Sequence, residues 1–373
     1  MYRISFLLIA LAVICSCSTQ PVNTKVLMYI GTTNNDSLKG IEYCFFDTVS
    51  GVISQPQLAD SILNPNFLEV DSENGFLYAV GQRADKTSVV RSYKVDQTSG
   101  QVARHSEAVL NGKGPCYVAL SKTSNELMLA FYGSGEVSAY KINNDELVYS
   151  ERLSQLNRIQ HYGSGPYENR QKGPHAHSID VDPNSDFIYA ADLGADKLMV
   201  YRMEANGLAT VDSVIGKIGA GPRHFDFSPD GKMLAVLNEL NCSVTTFAKD
   251  SKGIYKRELQ TVTLLPDTFS GFAKAADIHF SPDGKFLYAS NRGFDCIGIF
   301  KVNDMNIEFV EFVTEGILWP RNFAIDPSGN YLLVANRDLN HISVYKRNQM
   351  TGKLTMLPDV ANVERPICIK FYK

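Results

Sequence analysis

Apolar and polar residues alternate along this chain in short runs broken by turns, and one unit recurs. It consists of an apolar strand, an Asp/Ser-Pro-x-x-Gly type turn, a second strand, a polar pair and a third apolar-aromatic strand. The clearest copies run from Phe227-Ser228-Pro229-Asp230-Gly231-Lys232 to Phe247 and from Phe280-Ser281-Pro282-Asp283-Gly284-Lys285 to Phe300. Two more run from Val181-Asp182-Pro183 to Tyr201 and from Ile325-Asp326-Pro327-Ser328-Gly329 to Tyr345, and weaker ones start at Val70-Asp71-Ser72 and Leu120-Ser121-Lys122. Period-two alternation bounded by Pro, Gly and Asp is the pattern of half-buried strands. The anchors Asp71, Ser121, Asp182, Ser228, Ser281 and Asp326 are 45 to 61 residues apart, the spacing of four-stranded propeller blades.

Six anchored units leave both ends over. Val26 to Gly31, Ile41 to Phe46 and Ile367 to Tyr372 are strand-like, and together they make a seventh blade that hides the sheet edges a linear array would expose. The expectation is therefore an all-β, seven-bladed β-propeller with four antiparallel strands per blade. Its N- and C-terminal strands share a blade, and residues 25–373 form one domain. The longest interval contains a polar loop, Gln160 to Gln171, and loops of that length inside compact domains are often functional.

Residues 1–17 have a different character. Arg3 precedes the apolar run Phe6 to Ile14, too short for a membrane span of about 20 residues, so the segment reads as an export signal. Its end, Ile14-Cys15-Ser16-Cys17, resembles a bacterial lipobox. Ser16 fits the small pre-cleavage position, which makes Cys17 the expected lipid attachment site and residues 18–24 a tether. The simpler alternative is an ordinary signal cleaved a few residues later. The protein is then expected in the periplasm or cell envelope, on a membrane only through its lipid, and in the cytoplasm if the signal is unused.

Composition narrows the function. With 36 Lys and Arg against 40 Asp and Glu the net charge is −4, and there is no basic cluster to track phosphates, so no nucleic-acid partner is expected. Cys44, Cys116, Cys242, Cys296 and Cys368 are odd in number, without a repeated spacing, and read as buried small hydrophobes. No CxxC or HExxH occurs, so neither a metal nor another cofactor is expected. A closed ring needs no partner, so a monomer is expected.

Register locates the chemistry. Six residues before the turn proline position stand His177, Arg223, Ala276 and Arg321, with Cys116 in a weaker unit; ten residues after it stand Leu193, Glu239, Arg292 and Arg337, with Tyr132. The two positions should meet at the channel mouth opposite the turns, with His175, His224, Asp277 and His279 close by. Four of the seven histidines fall here, and so many ionisable groups would be costly to bury without a ligand or water. Arginines can clamp an anion and stabilise an oxyanion, and a histidine or Glu239 can act as general base on water. The Gly-x-Ser-x-Gly elbow of a covalent hydrolase is absent, which favours direct attack by water.

Six motifs in order, Gly173-Pro174-His175-Ala176-His177-Ser178, Gly221-Pro222-Arg223-His224, Asn238-Glu239-Leu240, Ala275 to Gly284, Ser290-Asn291-Arg292-Gly293 and Pro320-Arg321-Asn322-Phe323, resemble the seven-bladed propeller lactonase family. That family includes bacterial propeller-type 6-phosphogluconolactonases and is similar to fungal 3-carboxy-cis,cis-muconate lactonising enzymes. The resemblance implies a hydrolase acting on a sugar lactone or other anionic lactone. It also implies a catalytic cluster of His177, Arg223, Glu239 and Arg292, in which His177 or Glu239 is the base. His175, His224, Asp277, His279 and Arg321 are then substrate-binding candidates. The chain has Asp277 where the family usually has Glu, and Tyr117 where it often has His. An exported protein would not meet cytoplasmic 6-phosphogluconolactone, so the expected substrate is a related lactone. The alternatives are a propeller that binds a carbohydrate acid or a protein without catalysis, and a muconate-type cycloisomerase.

Overall fold

The computed structural model describes residues 24–34, 36, 39–143 and 153–373. The expected signal and Cys17 lie outside them. Seven four-stranded antiparallel sheets surround a central channel. The innermost strands of blades 1 to 6 are Leu63–Asp71, Pro115–Leu120, Ala176–Val181, Pro222–Phe227, Lys274–Phe280 and Pro320–Ile325. Blade 7 is composite: Pro366–Phe371 lies innermost beside Lys25–Thr32, followed by Gly40–Asp47 and Gln57–Ser61. The pairing runs from Met28 opposite Phe371 to Thr32 opposite Pro366, so the two chain ends close the ring as the strand pattern requires.

Apolar layers between successive blades hold the ring together. Ile30 and Ile369 of blade 7 pack with Leu333 and Val344 of blade 6, and Phe46 meets Tyr331 edge-on at 5.4 Å. Each repeat anchor folds its own turn. The Ser228 hydroxyl donates to Asp230 and accepts from the Met233 amide at 2.9 Å, and Asp326 accepts from the Tyr331 amide at 2.7 Å. Gly231 and Gly284 follow with φ of 69° and 68°, a conformation other residues rarely adopt. These turns define one face of the disk.

The opposite end of the innermost strands carries a repeated irregularity. Register shifts fall between Pro115 and Tyr117, Ala176 and Ser178, Pro222 and His224, Ala275 and Ile278, and Pro320 and Asn322. A bulge inserts an unpaired residue and re-aims side chains, so consecutive residues can both serve the channel. Cys116, His177, Arg223, Ala276 and Arg321 make the outer level; Tyr117, His224, Asp277 and Asn322 make the level beneath.

Ile369 is 2% exposed at the blade 6–blade 7 seam. Ile369→Ala should cost about 2–5 kcal/mol, the usual range for such a core truncation, seen in urea unfolding as a lower midpoint with an unchanged m-value.

Candidate active site at the arginine mouth

Glu239 directly follows a buried strand, Met233–Asn238, and its own amide donates to Gly221 O at 2.7 Å. The side chain is 3% exposed and reaches three guanidinium groups. Oε1 accepts from Arg170 Nη2 at 2.5 Å, while Oε2 lies 3.0 Å from Arg223 Nε and 3.1 Å from Arg292 Nη2. Burial alone would raise its pKa, but Arg292, Arg223 and Arg170 hold the carboxyl well below the usual carboxylate range. The arginines are fixed from behind: Arg223 donates to Ala276 O, and Arg292 Nη2 to Ala275 O at 2.8 Å. Both carbonyls belong to the bulged strand of blade 5.

Positive charge exceeds negative here. Burial pulls the pKa of Arg223, Arg292 and Arg321 down to about 10, with repulsion between neighbouring guanidinium groups adding to it. Arg321 makes no ion pair or hydrogen bond with the described residues. Lys274, beside Arg170 and Arg292, is lowered first by burial and then by their charge. Arg170 Nη1 and Trp319 Nε1 are buried without a protein partner. Unsatisfied buried donors are uncommon in native proteins, and both residues adjoin the Glu239 cluster, Arg170 through its own ion pair and Trp319 with the Arg292 guanidinium 5.8 Å from its ring centre.

His177 is 5% exposed, and its Nδ1 has no protein partner. Burial, Arg223, His224 and Arg321 lower its pKa well below the ordinary value, so the ring is neutral at physiological pH. Tyr132 meets it edge-on at 5.5 Å, stacks on His175 at 4.4 Å, and accepts from Arg170 through its hydroxyl at 3.2 Å. His175 Nδ1 lies 2.6 Å from Tyr132 O.

The register count thus brings together His177, Arg223, Glu239 and Arg292, with His175, Tyr132 and Arg321 at the same mouth. Leu193 is a core residue whose carbonyl accepts from Gln171. Arg337 pairs with Asp338 and lies over Trp319 at 4.7 Å. His224 and Asp277 belong to the level beneath. His279 is not brought to the arginines: it lines a cavity that opens between the turns on the other face, because the inward-facing positions below the bulge lead away from the arginine mouth.

Arg170 and Trp319 were not reached by counting, since neither lies on a repeat position. Arg170 comes from the short helix Glu168–Gln171 in the polar loop. Gln171 is fully buried and locks that loop by donating to Leu193 O at 2.9 Å and Asp196 Oδ1 at 2.8 Å. His161, in the same loop, is structural: its ring bridges Asp192 and the Tyr201 hydroxyl at 2.7 and 2.6 Å. Among the described residues no group of three or more His, Cys, Asp or Glu side chains converges to hold a metal ion.

Known proteins share this arrangement of blades. The chain is 33% identical to the 6-phosphogluconolactonase of Bacillus subtilis over 93% of its own length and 99% of that protein. It superposes with a TM-score of 0.85 on a crystal structure of a candidate 6-phosphogluconolactonase from Bacteroides uniformis, at 35% identity, covering 93% of this chain and 99% of the other. The periplasmic gluconolactonase of Pseudomonas aeruginosa gives the same TM-score at 30% identity and the same coverage. The family described as lactonase, 7-bladed beta-propeller, matches residues 27–371, and this chain belongs to it.

Proposed function

We propose that the arginine mouth hydrolyses a sugar lactone carrying a separate anionic group, with His177 as general base. The observation that carries this reading is the commitment of both Glu239 oxygens to Arg170, Arg223 and Arg292. Both groups are lowered by burial or the arginines, but the Glu239 oxygens are occupied by guanidinium groups, whereas neutral His177 keeps a ring nitrogen with no protein partner. Water attacks the lactone carbonyl carbon and gives its proton to His177. Arg223 and Arg292 stabilise the oxyanion. The ester bond to the ring oxygen then breaks, and that oxygen takes the proton back from His177, leaving a hydroxy acid. Arg321, Lys274 and the free donors of Arg170 and Trp319 suit a phosphate or carboxylate borne elsewhere on the substrate. The relatives named 6-phosphogluconolactonase and gluconolactonase support the sugar-lactone class and differ in that anionic group.

The second proposal concerns address. No helix among the described residues is long and apolar enough to cross a membrane, and the periplasmic relative supports export. We infer that Cys17 carries the lipid. Lys25–Thr32 runs antiparallel to Pro366–Phe371, so Lys25 lies at the Phe371 end, on the turn face. A tether leaving there directs the arginine mouth away from the bilayer.

His177→Asn should lower kcat by about 10²–10⁴ with KM changed only a few-fold, measured against spontaneous hydrolysis. Because the lowered pKa keeps His177 unprotonated, kcat/KM should stay level through neutral pH and fall only below the ordinary histidine value; an acid limb at or above that value counts against His177. The phosphorylated gluconolactone should exceed the neutral one in kcat/KM by at least about tenfold, a difference that Arg321→Met removes mainly through KM; equal turnover of both lactones would remove the anionic-group reading. For the anchor, Cys17→Ser should release the protein from the membrane fraction.

A further inference from the structure

The channel is divided. Phe67 stacks on Tyr117 at 3.9 Å, and both meet the His224 ring edge-on, at 6.0 and 5.4 Å. Asp277 accepts from His224 Nδ1 at 2.7 Å and from Asn322 at 2.5 Å. This layer separates the arginine mouth from a cavity of about 470 Å³ that opens on the turn face between Pro229 and Pro282.

The walls of that cavity have the opposite chemistry. Its charged side chains are Glu69, Asp226, Asp277, His279, Lys370 and Lys373, with Asp180 adjoining, so carboxylates still outnumber the lysines. Two of its donors are already engaged: Lys370 Nζ holds Glu69 at 2.6 Å and lies over the Phe67 ring at 5.0 Å, and His279 Nε2 holds Asp277 at 3.1 Å. Acceptor capacity remains. Glu69 Oε1 and Asp180 Oδ2 have no protein donor, and Asp226 accepts hydrogen bonds only from the Phe227 and Phe280 amides, with His279 Nδ1 3.9 Å from its Oδ2. At the floor His224 is 5% exposed, and its second ring nitrogen has no protein partner. Burial and Arg223 push the pKa of His224 to about 4, so that nitrogen is an acceptor. Burial and Glu69 raise Asp180 to about 7, and burial raises Asp226, as expected where carboxylates lack enough countercharge.

The missing partner therefore carries positive charge and several N–H donors. A bare metal ion does not fit, because these side chains do not converge on one point and the cavity has room for a small organic molecule. We propose that the turn-face cavity is a second ligand site, separate from the arginine mouth, that binds a small organic ammonium ion, with Asp226, Glu69 and His224 as its acceptors.

The test titrates 1,4-diaminobutane into the purified protein by calorimetry, with the fluorescence of Trp319, the single tryptophan, reporting the arginine mouth. The expected result is saturable binding that leaves Trp319 emission unchanged and weakens at least about tenfold in both Asp226→Asn and Glu69→Gln, while lactone turnover is kept. Glu69→Gln carries the comparison should Asp226→Asn not fold. No amine binding at millimolar concentration, equal binding in both folded variants, or binding of calcium but not amine would overturn the proposal. Because turnover is read separately, loss of the lactonase reading would leave this result standing.

Discussion

A buried carboxylate shared by three arginines organises the arginine mouth. Glu239 accepts from Arg170 and ion-pairs with Arg223 and Arg292, at 2.5 to 3.1 Å, each of them delivered by a different part of the chain. Removing one partner from such a cluster leaves buried charge uncompensated, so the arrangement fixes three guanidinium groups in one geometry. One negative charge does not neutralise them together with Arg321 and Lys274. The surplus supports the proposed anion binding at the mouth, and the same charges lower the proton affinity of Glu239.

The propeller makes this cluster possible by repeating one local device. Each bulge at the head of an innermost strand supplies two consecutive channel residues, an outer one and one beneath. The outer level became the mouth and the inner level a plug of Phe67, Tyr117, His224 and Asp277. His224 belongs to both halves electrically: its ring lies 5.3 Å from that of His177, while Asp277 holds it from the other side. The channel is thus polarised, cationic at one end and acidic at the other, with an aromatic septum between.

The fold was legible because each turn repeats its chemistry, with Ser228, Ser281 and Asp326 closing equivalent loops. The same register found Arg223, Glu239 and Arg292, since their positions recur in successive blades. Arg170 was hidden because it enters from the inserted loop between blades 2 and 3; the unusual length of that interval was its only trace. His279 was grouped with the arginines because counting treats a strand as uniform. In the folded strand it lies two residues beyond Asp277, about 7 Å further toward the turns and past the septum. The proposal of His177 over Glu239 as base also lay beyond the sequence, since it rests on where three arginine side chains meet.

The central claim is that Glu239 is an ionised anchor for the arginines and does not exchange protons in turnover. Carbon-detected NMR of the protein labelled at glutamate carboxyls, with Glu239→Gln assigning the resonance, reads this directly. The account predicts no titration of that carboxyl from about pH 8 to about pH 4.5, where an ordinary glutamate, with a pKa of about 4.3, is already partly protonated. A Glu239 resonance that titrates between about pH 5 and about pH 7, where a working carboxylate base belongs, would contradict it.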